Sequence, residues 1–169
     1  HNEEGAFRME IHEITQVNDA LAEMVALFRV ELRSYKGILS KPNLQAGREE
    51  MEEYLSAGFP VSAAVINGEY AGYMVCRVED GVVWVESLFV KEKYRRQGLA
   101  GALHSKAEEL AARYGEDTVY NYVHPNNHRM IEFLRKRGYT VLNLIEIRKP
   151  YQGEKLTQTI QVDQHKFDY

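Results

Sequence analysis

Cysteine is nearly absent: Cys76 is the single one in 169 residues. No intrachain disulfide and no cysteine-based zinc cluster can therefore form, and a cytoplasmic location is the default reading. Cys76 lies in "YMVCRVE" between apolar neighbours, which reads as a small core residue and not as a nucleophile. Proline is scarce too, and no proline-rich linker, internal repeat or low-complexity tract interrupts the chain. No apolar run approaches the roughly 20 residues of a membrane helix. The N-terminal "HNEEGAFRMEI" lacks the basic flank and apolar stretch of a signal peptide. A surplus of positive charge is also missing, since 21 Lys and Arg face 25 Asp and Glu, for a net charge of −4. That balance argues against a chain built to neutralise nucleic-acid phosphates, so neither nucleic acid nor membrane is expected as a partner.

What is present is an ordinary globular composition, 44% hydrophobic and 27% charged. Residues 1–8 read as an N-terminal tail or a remnant of processing or expression, with Met9 as the native start. The rest, 9–169, reads as a single domain in which 150–169 forms a C-terminal extension. "RMEIHEIT" alternates like a first strand. Leu21, Met24, Val25, Phe28, Leu32 and Tyr35 then recur at three- and four-residue steps, as in an amphipathic helix. Gly37 and Pro42 break that pattern, and "GREEMEEYLSAG" predicts a second helix stopping near Gly58. Three strands follow, "PVSAAVIN", "YAGYMVCRVE" and "VVWVESLFV", joined by the short hairpin connections "NGE" and "EDG". A third helix packs Leu99, Leu103, Ala107, Leu110, Ala111 and Tyr114 on one face. "DTVYNYVH" predicts a strand, and "NNHRMIEFLRKRG" a helix capped at Gly138. "YTVLNLIEIRK" predicts another strand, and "KLTQTIQVD" a last one at a sheet edge or subunit contact, which leaves a homodimer open. The order is β-α-α-β-β-β-α-β-α-β with a further strand. It predicts an α+β fold with a mixed, mostly antiparallel sheet, twisted and flanked by helices. The crossover after the third meander strand makes its flanking strands parallel neighbours.

The most informative stretch is "RRQGLA", at the junction of a strand with the third helix. The first turn of a helix leaves about four amides without intrahelical partners. Gly98 has no Cβ to keep a ligand away. Arg95 and Arg96 add cations where the helix dipole already disfavours them, which suits a site that holds an anion. Together these make a pyrophosphate cradle. It is neither a Walker loop, lacking G-K-[ST], nor a dinucleotide fingerprint, lacking the second and third glycines.

With these residues the sequence resembles the GNAT superfamily of acyl-CoA-dependent N-acetyltransferases. Its [QR]-x-x-G-x-[GA] turn is met by Arg95, Gly98 and Ala100. "SLFVKEKY" looks like the family's fourth strand with its entry loop, and "VHPNNHRMIEFLRKRGY" like its second motif. The resemblance spans roughly residues 8–149 and is strongest between Val83 and Tyr139. It implies a gap where the fourth and fifth strands splay, with acetyl-CoA as cosubstrate and no metal. Main-chain groups of Phe89 and Val90 would hold the pantetheine. The turn over Arg96, Gln97, Gly98, Leu99 and Ala100 would take the diphosphate, and Asn127 would reach the pantetheine from the other arm. Asn127 is also a natural helix N-cap, and Asn126 competes for that role.

Acetyl transfer to an amine needs a proton acceptor, a donor for the oxyanion and a way to stabilise the departing thiolate. Glu86, a carboxylate on an apolar strand, is the expected acceptor, with Trp84 and Leu88 on its face by the period of two. Glu79 is a weaker alternative, and a structural glutamate paired with a nearby cation is the plain one. The resemblance points to the amide of Val90, or Phe89 if a bulge shifts the register, for the oxyanion. Where family members often carry a second-motif tyrosine as thiolate acid, this sequence has Leu134. Tyr122 is preferred as substitute over Tyr120, Tyr139 or a water, although a packing tyrosine is the common case. His124 and His128 flank "PNN" without a third ligand at metal spacing, and read as surface or capping residues. The expected activity is acetyl transfer to a primary amine of a small molecule or a protein by direct attack in a ternary complex. The alternative is a non-catalytic acyl-CoA binding or sensing module.

Overall fold

The fold, a computed structural model, is described for residues 8–169, so the tail expected over 1–8 lies outside the described residues except for Arg8. Backbone contacts divide the chain into two units. One runs to Ser34 and resumes over Ile38–Tyr122; the other joins Tyr35–Gly37 to Val123–Tyr169.

The first unit holds β1 (Met9–Glu13), α1 (Asp19–Ser34), α2 (Leu44–Ser56), β2 (Val61–Ile66), β3 (Glu69–Glu79), β4 (Val82–Val90), α3 (Leu99–Arg113) and β5 (Tyr120–Asn121). The sheet order is β1-β2-β3-β4-β5, antiparallel up to β4 and parallel between β4 and β5, as the crossover requires. The hairpins are made by Asn67-Gly68 and Asp80-Gly81, with positive φ at both residues of each pair. That is the backbone of type I′ turns, whose twist matches the strands they join.

Helix α1 starts where the Asn18 side chain accepts the Leu21 amide at 2.9 Å. It buries Leu21, Met24, Val25 and Phe28 against Val61, Ala63, Tyr73, Val75 and Phe89 of the sheet. Phe28 stacks on Phe89 with centroids 5.2 Å apart. The expected stripe stops short, for Leu32 is exposed and Tyr35 lies past the helix end. Helix α2 begins three residues before the expected Gly47, capped by Asn43, whose side chain accepts the Ala46 amide. Gly47 is a crossing point: a Cβ there would lie 2.3 Å from the Ala22 carbonyl oxygen of α1. Helix α3 buries Leu99, Leu103, His104, Ala107 and Ala111 and packs on β3 and β4. None of these joins the cluster under α1, so α3 covers the opposite face. Tyr114, expected on its buried stripe, is exposed.

Strand β4 carries a bulge. Val75 pairs with Ser87 and Cys76 with Val85, which leaves Glu86 as the extra residue. The parallel ladder to β5 ends at that point, at Val85↔Asn121, so the strand expected over "DTVYNYVH" contracts to Tyr120–Asn121. Bulges terminate pairing in this way.

The second unit contains α4 (His128–Lys136) and a hairpin of β6 (Thr159–Val162) with β7 (His165–Asp168). Helix α4 ends as expected at Gly138, with φ 94° and the Tyr139 amide bonded to the Leu134 carbonyl. The strand expected over "YTVLNLIEIRK" is not formed. A strand exists only through a ladder, and this segment pairs with no strand among the described residues; Val141, Leu142, Leu144 and Ile147 stand exposed. The tail strand expected over "KLTQTIQVD" is instead one arm of the β6–β7 hairpin.

Candidate active site

Between β4 and α3 the chain makes a single 3-10 turn over Glu92–Tyr94 and then the basic turn. Arg96 and Gly98 both have left-handed φ, 63° and 83°, while Gln97 between them does not. Alternating hands turn successive amides to one side and form a concave anion-binding nest. A non-glycine residue in this region carries strain of order 1 kcal/mol or more. No side chain caps α3 at Gly98, and the first amide bonded within the helix is that of Ala102, to the Gly98 carbonyl. The preceding amides of the first turn lack intrahelical acceptors. Apart from its chain neighbours, no described residue comes within 4 Å of where a Gly98 Cβ would stand, so the turn is open there.

Arg95 does not contribute its charge to this nest. Its Nε donates to the Val90 carbonyl at 2.9 Å, its Nη2 pairs with Glu31 at 2.9 Å, and its guanidinium lies 5.8 Å from the Phe89 ring centroid. The Arg95 side chain, expected beside phosphate, ties the turn to the end of β4 and to α1. Arg96 and Gln97 have exposed side chains.

Past Val85, β4 has no ladder partner on its β5 side among the described residues. Lys91 donates its amide to the Ala71 carbonyl of β3 at 2.8 Å. Amides alternate in direction along an antiparallel strand, so the Val90 N–H points to the unpaired side. By the same alternation the main-chain groups of Phe89 face β3. Of the two residues expected to share a cofactor contact, only Val90 offers a main-chain donor on the open edge.

Glu86 lies at the bulge, its side chain 24% exposed, and Oε1 accepts from Arg77 Nε at 2.7 Å. The bulge also corrects its surroundings. Arg77 touches both Glu86 and Trp84, whereas Leu88, beyond the extra residue, turns to the α3 face. Tyr122 is exposed, and its hydroxyl accepts from Arg77 Nη2 at 2.9 Å. Nearby, Tyr54 Oη and Ser87 Oγ approach to 3.5 Å, and burial pushes the Tyr54 phenol above its ordinary range. Cys76 is buried, and burial pushes its thiol up to about 12, in keeping with a core residue.

In the second unit, Asn127 is buried and caps α4, its Oδ1 accepting the Met130 amide at 3.2 Å. The neighbouring Asn126 instead donates Nδ2 to the Tyr35 carbonyl at 2.7 Å. His124 stacks on Tyr35 and accepts the Asn126 amide at Nδ1. Burial, helped by Lys36, lowers its pKa. Leu134, where the resemblance leads one to expect a tyrosine, is buried. Among the described residues no group of three or more His, Cys, Asp or Glu is placed to hold a metal. No described helix is long and apolar enough to cross a membrane.

Sequence reasoning missed two side chains here. Arg77 links Glu86 to Tyr122, and its only signal was a charge within an apolar strand. His104, fully buried on α3, bonds Asn121 of β5 at 2.9 Å and was hidden in a helical stripe of alanines and leucines.

Comparison with known proteins matches residues 24–139 to the family described as Acetyltransferase (GNAT) family. No curated protein sequence matches the chain significantly. Solved structures do match in fold. The aminoglycoside N-acetyltransferase AAC(6')-Iy in complex with CoA is 20% identical, at TM-score 0.63, over 86% of this chain and 97% of its own. The protein PH1933 from Pyrococcus horikoshii is 18% identical, at TM-score 0.64, over 83% and 94%. The PaiA N-acetyltransferase from Thermoplasma acidophilum, in complex with coenzyme A, is 16% identical, at TM-score 0.62, over 77% and 88%. The mixed sheet, the turn at Arg95–Ala100 and the family match over most of the chain agree: the protein belongs to the acetyltransferase (GNAT) family.

Proposed function

We propose that this protein transfers the acetyl group of acetyl-CoA to a primary amine of a small molecule or a peptide, by direct attack within a ternary complex. The observation that carries the reading is the left-right-left turn at Arg96–Gly98, which opens α3 beside the unpaired edge of β4. The amides from Arg96 to Ala100 hold the diphosphate, and the Arg96 side chain adds charge. Acetyl-CoA supplies an acetyl group activated as a thioester. The Val90 amide holds the acetyl oxygen as charge develops there. Asn127, expected by resemblance to touch the cofactor, has its Oδ1 engaged in the α4 cap.

Glu86 takes the amine proton through its remaining oxygen, Oε2, directly or through water. Tyr122 gives its phenolic proton to the sulfur as the C–S bond breaks and the C–N bond forms. An ammonium acceptor loses two protons in all: one reaches solvent by way of Glu86, and the other balances the one given to sulfur. Amide and thiol are the products. Buried Leu134 favours a second reading, a protein that binds acyl-CoA without turnover.

Free-thiol release from acetyl-CoA, followed across polyamines, amino acids, aminoglycosides and peptides, separates the two. Turnover with one class is expected, with Glu86→Gln lowering kcat by about 100-fold or more at unchanged CoA affinity. Tight CoA binding with silence across the panel would instead establish the binding module.

A further inference from the structure

Arg77 stands on β3 directly across from Trp84 of β4, and three of its nitrogens meet three different oxygens. Nε donates to Glu86 Oε1 at 2.7 Å, Nη2 to Tyr122 Oη at 2.9 Å, and Nη1 pairs with Glu79 Oε2 at 2.8 Å. The guanidinium carbon lies over the Trp84 ring, 4.2 Å from its centroid. The side chain is 19% exposed although its partners Glu79 and Tyr122 are open to solvent. A planar fork can satisfy such a set at once, and a lysine ammonium cannot.

We propose that Arg77 is a positioning residue for acyl transfer, fixing the proton acceptor Glu86 and the proton donor Tyr122 relative to each other through one guanidinium. This rests on the reading above that those two residues move the protons. Arg77 stays protonated under all working conditions, so it cannot itself be the acid or the base. It does decide where their protons lie. Because Nη2 donates to the Tyr122 oxygen, the phenolic hydrogen points away from Arg77, free to be given to a departing group. Because Nε occupies Glu86 Oε1, the proton taken from the amine goes to Oε2. Both clients need the support: Glu86 sits on a bulge, outside the regular ladder, and Tyr122 lies one residue past the end of β5.

The test is a double-mutant cycle of Arg77→Ala and Glu86→Gln, with steady-state kinetics, CoA-induced thermal shift and tryptophan emission. Trp84 is the chain's single tryptophan, so its emission reports the guanidinium above it. Arg77→Ala is expected to lower kcat by about tenfold or more, with KM for acetyl-CoA unchanged and the pH–rate profile altered. The double variant falls no lower than Glu86→Gln alone. Added ethylguanidinium restores both kcat and the Trp84 emission of Arg77→Ala, and tetramethylammonium restores neither. Should Arg77→Ala fail to fold, Arg77→Lys replaces it and is expected to lose kcat comparably while folded.

Full activity in Glu86→Gln would sink the proton-transfer reading itself. Impaired Glu86→Gln beside undiminished kcat in the Arg77 variants overturns the positioning role alone. So does an additive loss that guanidinium does not rescue, which marks Arg77 as a structural ion pair.

Discussion

Arg96 and Gly98 hold the left-handed region on either side of Gln97, at φ 63° and 83°. The glycine does so freely and the arginine at a cost. Space around Gly98 is open, so the penalty for a side chain there is conformational and not steric. Gly98→Ala is expected to lower stability by about 1–2 kcal/mol. Arg96→Gly is expected to raise it by about 1 kcal/mol. Chemical denaturation of the two variants checks both signs. Arg96→Gly keeps the amides and loses the charge, so its CoA affinity is expected to fall less than that of Arg96→Glu.

Gly47→Ala tests the crossing of α1 and α2. In an exposed helix this change gains about 1 kcal/mol from propensity. Here the new methyl would meet the Ala22 carbonyl oxygen at 2.3 Å and the Ala26 amide nitrogen at 2.9 Å, both backbone atoms of α1. Overpacking of this kind costs about 1–3 kcal/mol and forces the helices apart. A lowered unfolding midpoint is expected, and a raised one would mean the crossing is looser than described.

His124 gives a pH dependence with a definite sign. Burial first, then Lys36, lowers its pKa from the ordinary 6.5, and Nδ1 must be unprotonated to accept the Asn126 amide. The unfolded chain therefore binds this proton more readily than the native one. The contribution is fully present above 6.5 and is lost as pH falls through the lower native value. Histidine ring shifts followed by NMR from pH 8 to about 5 should give a midpoint for His124 below that of a free histidine. A midpoint at or above it would contradict the description.

Much of this was legible because the signals are local. Asn67-Gly68 and Asp80-Gly81 demand left-handed turns, and Gly138 caps α4 as its position suggests. The nest at Gly98 could be read for the same reason. What could not be read depends on partners distant in sequence. Arg95 pairs with Glu31, 64 residues away, a partner that no local signal reveals. Nothing in "VWVESLFV" marks Glu86 as a bulge, yet the bulge ends the β5 ladder and moves Leu88 to the other face. The apolar content of "YTVLNLIEIRK" suits a strand, but composition describes only what a segment can pair with. Gly47 falls within the expected second helix, but nothing local in the sequence shows that it lets two helices touch.

The central claim is that the amides around Gly98 receive the diphosphate of coenzyme A. Titrating CoA into the isotopically labelled protein, and following backbone amide resonances, tests it most directly. The largest shifts are expected at Arg96 to Ala100, with Val90 shifting alongside them. Binding that leaves those amides unmoved, or no binding at all, would contradict it.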